Sequence, residues 1–286
     1  MRDSLRGCLA RSLLAVFFAL LVTSGASAIS VTVNTNATQL ADMVTQFGGA
    51  GINVTGATLS GHSSSSGTYT NDSGTYSTAL GPGIILSTGS VSNYADGPNT
   101  SGSFTTNWGT QATSAQEALL DPISGGTRTH FDVTQLDITF DMQAGHDTVY
   151  FNVVFGSEEF PEYVGSSYVD AFGLYVNGTN IAFVDGAPVN IDHPAFVAKS
   201  GTELDGILND RVPHEFSSVV GDGSTGNTLT IILADTSDHS YDSTVYVSQL
   251  GGSEPPPPVI PEPLTMIAVI GAVGALGHYS RKRVRA

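Results

Sequence analysis

Residues 149–176 read VYFNVVFGSEEFPEYVGSSYVDAFGLYV. Val149, Phe151, Val153 and Phe155 alternate with Tyr150, Asn152 and Val154, the period of a strand with one face in a core. Gly156-Ser157 is expected to end that strand. Glu158, Glu159 and Glu162 follow within five residues, and Pro161 bars a regular helix or ladder between them. After Asp170 a second apolar strand is expected over 172–176. The stretch predicts two buried strands joined by a rigid, acidic, aromatic-bearing connection. Like charges packed this closely repel, so solvation, a basic partner or a metal ion has to offset the cost.

The flanking segments carry the same period. Leu136, Ile138, Phe140 and Met142 alternate with Asp137, Thr139 and Asp141, and Gly145-His146-Asp147 predicts a hairpin into the central strand. On the other side, Asn177-Gly178 predicts a tight hairpin between 172–176 and 181–184. Further strands are expected at 29–36, 53–59, 84–86, 217–220, 228–234 and 244–250. One helix is expected over 38–47, where Leu40, Met43, Val44 and Phe47 recur at helical spacing before Gly48-Gly49. Residues 62–76 and 92–113 are rich in Ser, Gly, Thr and Asn and read as polar loops or, for the first, edge strands. The second holds the lone tryptophan, Trp108, either a packing anchor or a platform for a sugar ring. Many short strands, glycine-rich turns and little helix indicate a mainly β fold. The expected form is an antiparallel β-sandwich of jelly-roll type with one or two short packing helices, a closed barrel being the alternative.

Both ends carry processing signals. Arg2, Arg6 and Arg11, an apolar segment over 13–22 and Ala26-Ser27-Ala28 have the layout of a secretory signal over 1–28, cut by signal peptidase after Ala28. Removal takes Cys8, the only cysteine, so residues 29–253 form a domain without disulfides or thiolate chemistry. A proline-rich spacer spans 254–263. It ends in Pro261-Glu262-Pro263 and leads to a short apolar run and the basic tail Arg281-Lys282-Arg283-Val284-Arg285, within 264–286. The run is short for a span of about 20 residues, and its basic end is expected on the cytoplasmic side.

Two resemblances follow from these motifs. Phe155-Gly-Ser-Glu158-Glu159-Phe-Pro-Glu162-Tyr-Val, with Asp170-Ala-Phe-Gly after it, resembles the signature of the choice-of-anchor L domain, a bacterial surface module. Asn53-Val-Thr-Gly-Ala-Thr, Gly83-Ile-Ile-Leu-Ser-Thr-Gly89 and the segment from Asp238 to Tyr246 agree with it, so the match covers about residues 40–250. The tail resembles the PEP-CTERM sorting signal of Gram-negative bacteria. That resemblance implies an exosortase-type sorting enzyme, transient anchoring in the membrane, and transfer to the envelope or an extracellular polysaccharide matrix. Neither resemblance implies a biochemical activity.

Composition narrows the function further. Between Asp42 and Glu254 there are 24 acidic residues against Arg128, Lys199 and Arg211, a net charge of −21. Nucleic-acid binding and attachment to anionic lipid both need a basic face and are excluded on that ground. Gly221-Asp-Gly223-Ser-Thr-Gly226 matches a dinucleotide fingerprint in letters, but a strand follows it where that site needs a helix, so a hairpin loop is expected.

Two acidic groups remain as candidate calcium ligands: Glu158, Glu159, Glu162 and Asp170, and separately Asp235, Asp238 and Asp242. Calcium takes six to eight hard oxygens, which such loops supply. Solvated, loop-holding carboxylates are the competing reading. A carbohydrate-active enzyme using Glu158, Glu159 or Glu162 as its carboxylate pair is the alternative function. The sequence as a whole points to a non-enzymatic adhesion or structural module at the cell surface.

Overall fold

The computed structural model describes residues 29–252, apart from 78, 200 and 209–212. Ala28, Pro261, Glu262 and Pro263, with the two terminal signals they belong to, lie outside the described residues. The strands are β1 (Ile29–Val33), β2 (Ile52–Ser60), β3 (Ser66–Asn71), β4 (Gly83–Ser87), β5 (His130–Met142), β6 (Thr148–Ser157), β7 (Ala171–Val176), β8 (Thr179–Asn180), β9 (Phe183–Val184), β10 (Ala187–Pro188), β11 (Phe196–Ala198), β12 (Gly206–Leu208), β13 (His214–Val219), β14 (Asn227–Thr236) and β15 (Ser243–Gly251). Helix α1 (Ala37–Phe47) precedes β2, and α2 (Ser114–Ser124) precedes β5.

An eight-stranded sheet runs β1-β3-β4-β15-β6-β12-β11, with β13 also paired to β6; a five-stranded sheet runs β2-β5-β14-β7-β8. All pairings within them are antiparallel. The two sheets pack face to face as the antiparallel β-sandwich that the sequence predicts.

Strand parity assigns the layers, because alternate side chains point to opposite faces. Phe151, Val153 and Phe155 of β6 and Val245 and Val247 of β15 meet Leu136, Ile138 and Phe140 of β5 and Leu229, Ile231 and Leu233 of β14 in one central core. Phe155 and Phe172 stack across it at 5.8 Å. Each such burial contributes about 1.5–3 kcal/mol. Residues of the other parity supply two smaller clusters. Ile85, Val154 and Tyr246 join Tyr69, Tyr76 and Tyr94 on the outer face of the larger sheet. Ile232, Ala234 and Tyr175 meet Leu120 and Ile123 of α2 on the outer face of the smaller one. Helix α1 buries Met43, Val44 and Phe47 in the central core, the face its periodicity predicts.

Several local expectations are corrected. Gly145-His146-Asp147 does not close a hairpin: β5 and β6 lie in different sheets and face each other across the core. The loop over 221–226 likewise passes between sheets, from β13 to β14. Periodicity reports which face a strand buries, not which strand it pairs with. Gly156-Ser157 does end β6, as its last two residues, still paired with β15 and with β12. Helix α2 had no counterpart among the expected segments. Thr113 and Gln116 form its capping box, and Gly125 closes it at φ 87°. Pro122 in its last turn obscures it, because proline is unfavourable inside a helix. Asn177-Gly178 does form the expected two-residue hairpin, with φ of 49° and 78°.

The topology gathers distant segments at one end of the sandwich. Ser157 closes β6 beside Ser243, the start of β15. Ala171 opens β7 beside Ala234, near the end of β14. Residues 158–170 and 237–242 therefore both cross between the sheets at that end. The close of β4 (Ser87 opposite Thr244) and the start of β5 (His130 opposite Thr236) lie there too.

Candidate functional site

These crossings bring the two acidic groups together. Glu158, Glu159, Asp170, Asp235 and Asp242 are each at most 1% exposed. Glu162 is exposed and Asp238 half-buried, so these two form a rim. Parity explains the burial. Asp235 continues the alternation of Leu229, Ile231 and Leu233, and Asp170 that of Phe172, Leu174 and Val176, which directs both toward the space between the sheets.

Few donors reach these carboxylates. Asp170 accepts from the Thr236 amide (2.9 Å) and the Ser243 hydroxyl (2.8 Å). Asp242 Oδ1 accepts from the Thr106 amide (2.8 Å). Both oxygens of Glu158, Glu159 and Asp235, and Oδ2 of Asp242, are buried without a hydrogen-bond partner among the described residues. The Tyr94 hydroxyl is likewise buried, and acts on Asp242 from outside hydrogen-bond geometry. Burying an unpaired ionised group is costly, so such groups hold a proton or a cation.

The electrostatics follow. Desolvation, then the charge of Asp205, pushes Glu158 up to about 9; the Phe104 amide opposes this weakly from outside hydrogen-bond geometry. Desolvation, then Asp170, pushes Glu159 up to about 10. Asp242 rises to about 7 through burial, opposed by the Thr106 amide. Burial raises Asp170 and Asp235 well above the usual carboxylate range. The neighbours also show that Glu158 and Glu159 diverge. Glu158 feels Asp205, Glu203 and Asp242, whereas Glu159 feels Asp170, Asp238 and Glu162.

Gly89 shapes the seam from below. A Cβ there would lie 1.7 Å from Asp242 Oδ2, so any side chain displaces that carboxylate. The 104–106 segment closes it from above: Phe104 O accepts from the Asp242 amide (3.1 Å), and the Thr105 hydroxyl from the Tyr241 amide (2.8 Å).

Asp132 is a buried carboxylate that sequence reasoning missed. It sits at φ 46° where the β5–β14 register shifts. Its oxygens accept from the amides of Trp108 (3.0 Å) and Thr110 (2.9 Å), the Thr110 hydroxyl (3.0 Å) and His239 Nδ1 (3.1 Å). It thus holds the 108–110 loop. A strand residue flanked by Phe131 and Val133 gives no sequence sign of that bulge.

A second overlooked group lies at α2. Glu117, Asp121 and His130 are the trio of potential ligands whose ligating atoms all fall within 4.8 Å among the described residues. Their atoms are engaged, however. His130 Nδ1 meets Glu117 Oε2 at 2.5 Å and its Nε2 meets the Ser124 hydroxyl at 3.0 Å. Glu117 Oε1 and Asp121 Oδ1 accept from the amides of His130 and Arg128. This trio anchors α2 to β5.

Trp108 is half-buried and stacks on His62 at 3.7 Å, which is the packing-anchor arrangement. The half-exposed aromatics at this end are instead Tyr163, Tyr168 and Tyr241. Tyr163 lies 5.4 Å from Tyr168 and 4.9 Å from Tyr241, ring to ring. An aromatic surface therefore does border the acidic connection. A cavity of about 480 Å³, lined by His146, Asp147, Thr148, Tyr150 and Asp222 among others, lies at the opposite end of β6. No helix among the described residues is long and apolar enough to cross a membrane.

The fold and the signature define a β-sandwich surface module. The choice-of-anchor L domain matches residues 30–199, and the chain belongs to that family. Membership fits a cell-surface or exported protein. No curated protein matches the chain. Similar solved structures include the carbohydrate-binding module TmCBM61 in complex with β-1,4-galactotriose, at 7% identity and a TM-score of 0.26, over 68% of this chain and 88% of that one. Another is CBM28, a carbohydrate-binding module specific for non-crystalline cellulose, at 14% identity and a TM-score of 0.25, over 58% and 89%.

Proposed function

We propose that this is an exported, non-enzymatic adhesion or structural module, displayed at the cell surface or in the extracellular matrix and stiffened by calcium. In this reading signal peptidase cuts after Ala28. The apolar segment within 264–286 then holds the chain in the membrane until an exosortase-type enzyme acts at Pro261-Glu262-Pro263. Family membership supports the location.

The observation that carries the non-enzymatic part is the burial of Glu158 and Glu159. A glycosidase pair flanks a substrate-sized cleft with its carboxyl groups about 5–9 Å apart. Here both are closed off from solvent, they turn toward different neighbours, and the large cavity is at the other end of the sandwich. The partner in this reading is an envelope or matrix polysaccharide. Tyr163, Tyr168 and Tyr241 present rings that can cover apolar sugar faces, and hydroxyls that can bond to sugars.

The test is cell fractionation of the tagged protein, with adhesion and matrix retention compared among wild-type, deletion and Tyr168→Ala strains. Surface or matrix recovery is expected, with adhesion reduced by the deletion and by Tyr168→Ala. Cytoplasmic retention, or glycan hydrolysis that Glu158→Gln abolishes, would overturn the reading.

A further inference from the structure

The acidic seam differs from an ordinary surface cluster in one respect. Most of its oxygens accept no hydrogen bond from the protein. Seven carboxylate oxygens, of Glu158, Glu159, Asp235 and Asp242, are buried and unpartnered among the described residues. The fold can satisfy a buried aspartate, as the donors on Asp132 show. Counter-charge from the described basic residues does not arrive either. Arg128 donates to the carbonyls of Ser124 (2.9 Å) and Ser167 (2.6 Å), and the Lys199 ammonium lies 5.7 Å from the centre of the Tyr76 ring.

We propose that Glu158, Glu159, Asp235 and Asp242 bind calcium inside the end of the sandwich, joining the 158–170 crossing, the 237–242 crossing and the turn at Gly89. This rests on the calcium-stiffened reading above and moves its site from the loop surface into the interior. Hard carboxylate oxygens with no thiolate or imidazole among them select calcium over zinc. The carboxylates act on two sides, Glu158, Asp242 and Asp235 on Tyr94, and Glu159 and Asp235 on Asp170. No three of them bring an oxygen each within 4.8 Å of one another, so they act as pairs that share Asp235. Calcium takes six to eight oxygens, so each set also needs carbonyls or hydroxyls of these crossings. Glu162 and Asp238 stay at the rim and are not ligands. Calcium here welds the eight-stranded sheet, through the ends of β6 and β15, to the five-stranded sheet, through β14. That is the one linkage a disulfide-free exported sandwich otherwise lacks.

The experiment is calorimetric titration of chelator-stripped full chain with calcium chloride, paired with terbium luminescence excited through tyrosine and competed by calcium. Wild type is expected to take up calcium, with Glu162→Gln and Asp238→Asn within about threefold of it and Glu158→Gln and Asp235→Asn weaker by about tenfold or more. Tyr94→Phe, which keeps every carboxylate, is expected to lower terbium emission while binding persists. If Asp235→Asn does not fold, Glu158→Gln and Tyr94→Phe carry the decision. Binding lost in Asp238→Asn or Glu162→Gln but kept in Glu158→Gln would overturn the interior site and leave calcium on the surface loops. Absence of both heat and terbium emission in wild type would overturn calcium binding itself, while surface display would still be decided by fractionation.

Discussion

Asp132 and Asp235 are both at most 1% exposed and lie almost opposite each other on β5 and β14. Asp132 is surrounded by donors; neither oxygen of Asp235 has one in hydrogen-bond geometry, the Thr88 hydroxyl acting on it from outside that geometry. The first is a finished structural device, a carboxylate that pins a loop. The second is left for a proton or a cation to satisfy. Burial and charge alone do not separate the two cases. The hydrogen-bond inventory does, because a buried polar group must be satisfied by something.

The largest effect is expected at Asp132. Asp132→Ala removes the buried acceptor shared by Trp108, Thr110 and His239 and is expected to cost about 3–5 kcal/mol, with or without calcium. Urea unfolding checks this, and a loss under 1 kcal/mol would mean that the loop holds itself.

Gly89→Ala should come next. It forces Asp242 aside and is expected to cost about 1–3 kcal/mol, with loss of the calcium response. An unchanged response would remove Asp242 from the ligand set.

pH sharpens the contrast. In metal-free protein the folded carboxyls keep their protons to higher pH than the unfolded chain, Asp242 to about 7, Glu158 to about 9 and Glu159 to about 10. From about pH 4.5 to 10 the folded state therefore binds more protons, and stability declines as pH rises. Chelated protein should show its highest urea midpoint near the acidic end of that range. Calcium competes with those protons, so its stabilisation should grow with pH. A metal-free midpoint that climbs toward pH 9 would contradict the burial of unpaired carboxyls. The smallest effect belongs to the rim: Glu162→Gln should stay within about 0.5 kcal/mol of wild type.

Much of this molecule was legible in its sequence. The alternation of Phe151, Val153 and Phe155, or of Leu136, Ile138 and Phe140, states a physical fact about burial, and those faces form the core. Partner choice was not legible there, since alternation is the same whether the next strand lies beside or across. The hairpins expected at 145–147 and 221–226 failed for that reason. Helix α2 did carry a signal, Thr113 with Gln116 and then Gly125, which Pro122 obscured.

The acidic residues were visible one by one, but their union was not. Glu158 and Asp242 are far apart in sequence and meet because Ser157 pairs with Ser243. Asp132 was invisible because a bulge, not a pattern, places it. Tyr163 and Tyr241 meet only through the same closure, so the aromatic surface beside the carboxylates had no sequence signature.

The most direct measurement is a thermal melt of the purified chain in calcium and in chelator. A site held at about 100 times its dissociation constant adds about 2.7 kcal/mol, a shift of several degrees for a domain of this size. That shift is expected in wild type and Glu162→Gln, and its loss in Asp235→Asn. Coincident melts of wild type in both buffers would contradict it, and would leave the seam as a set of buried protonated acids.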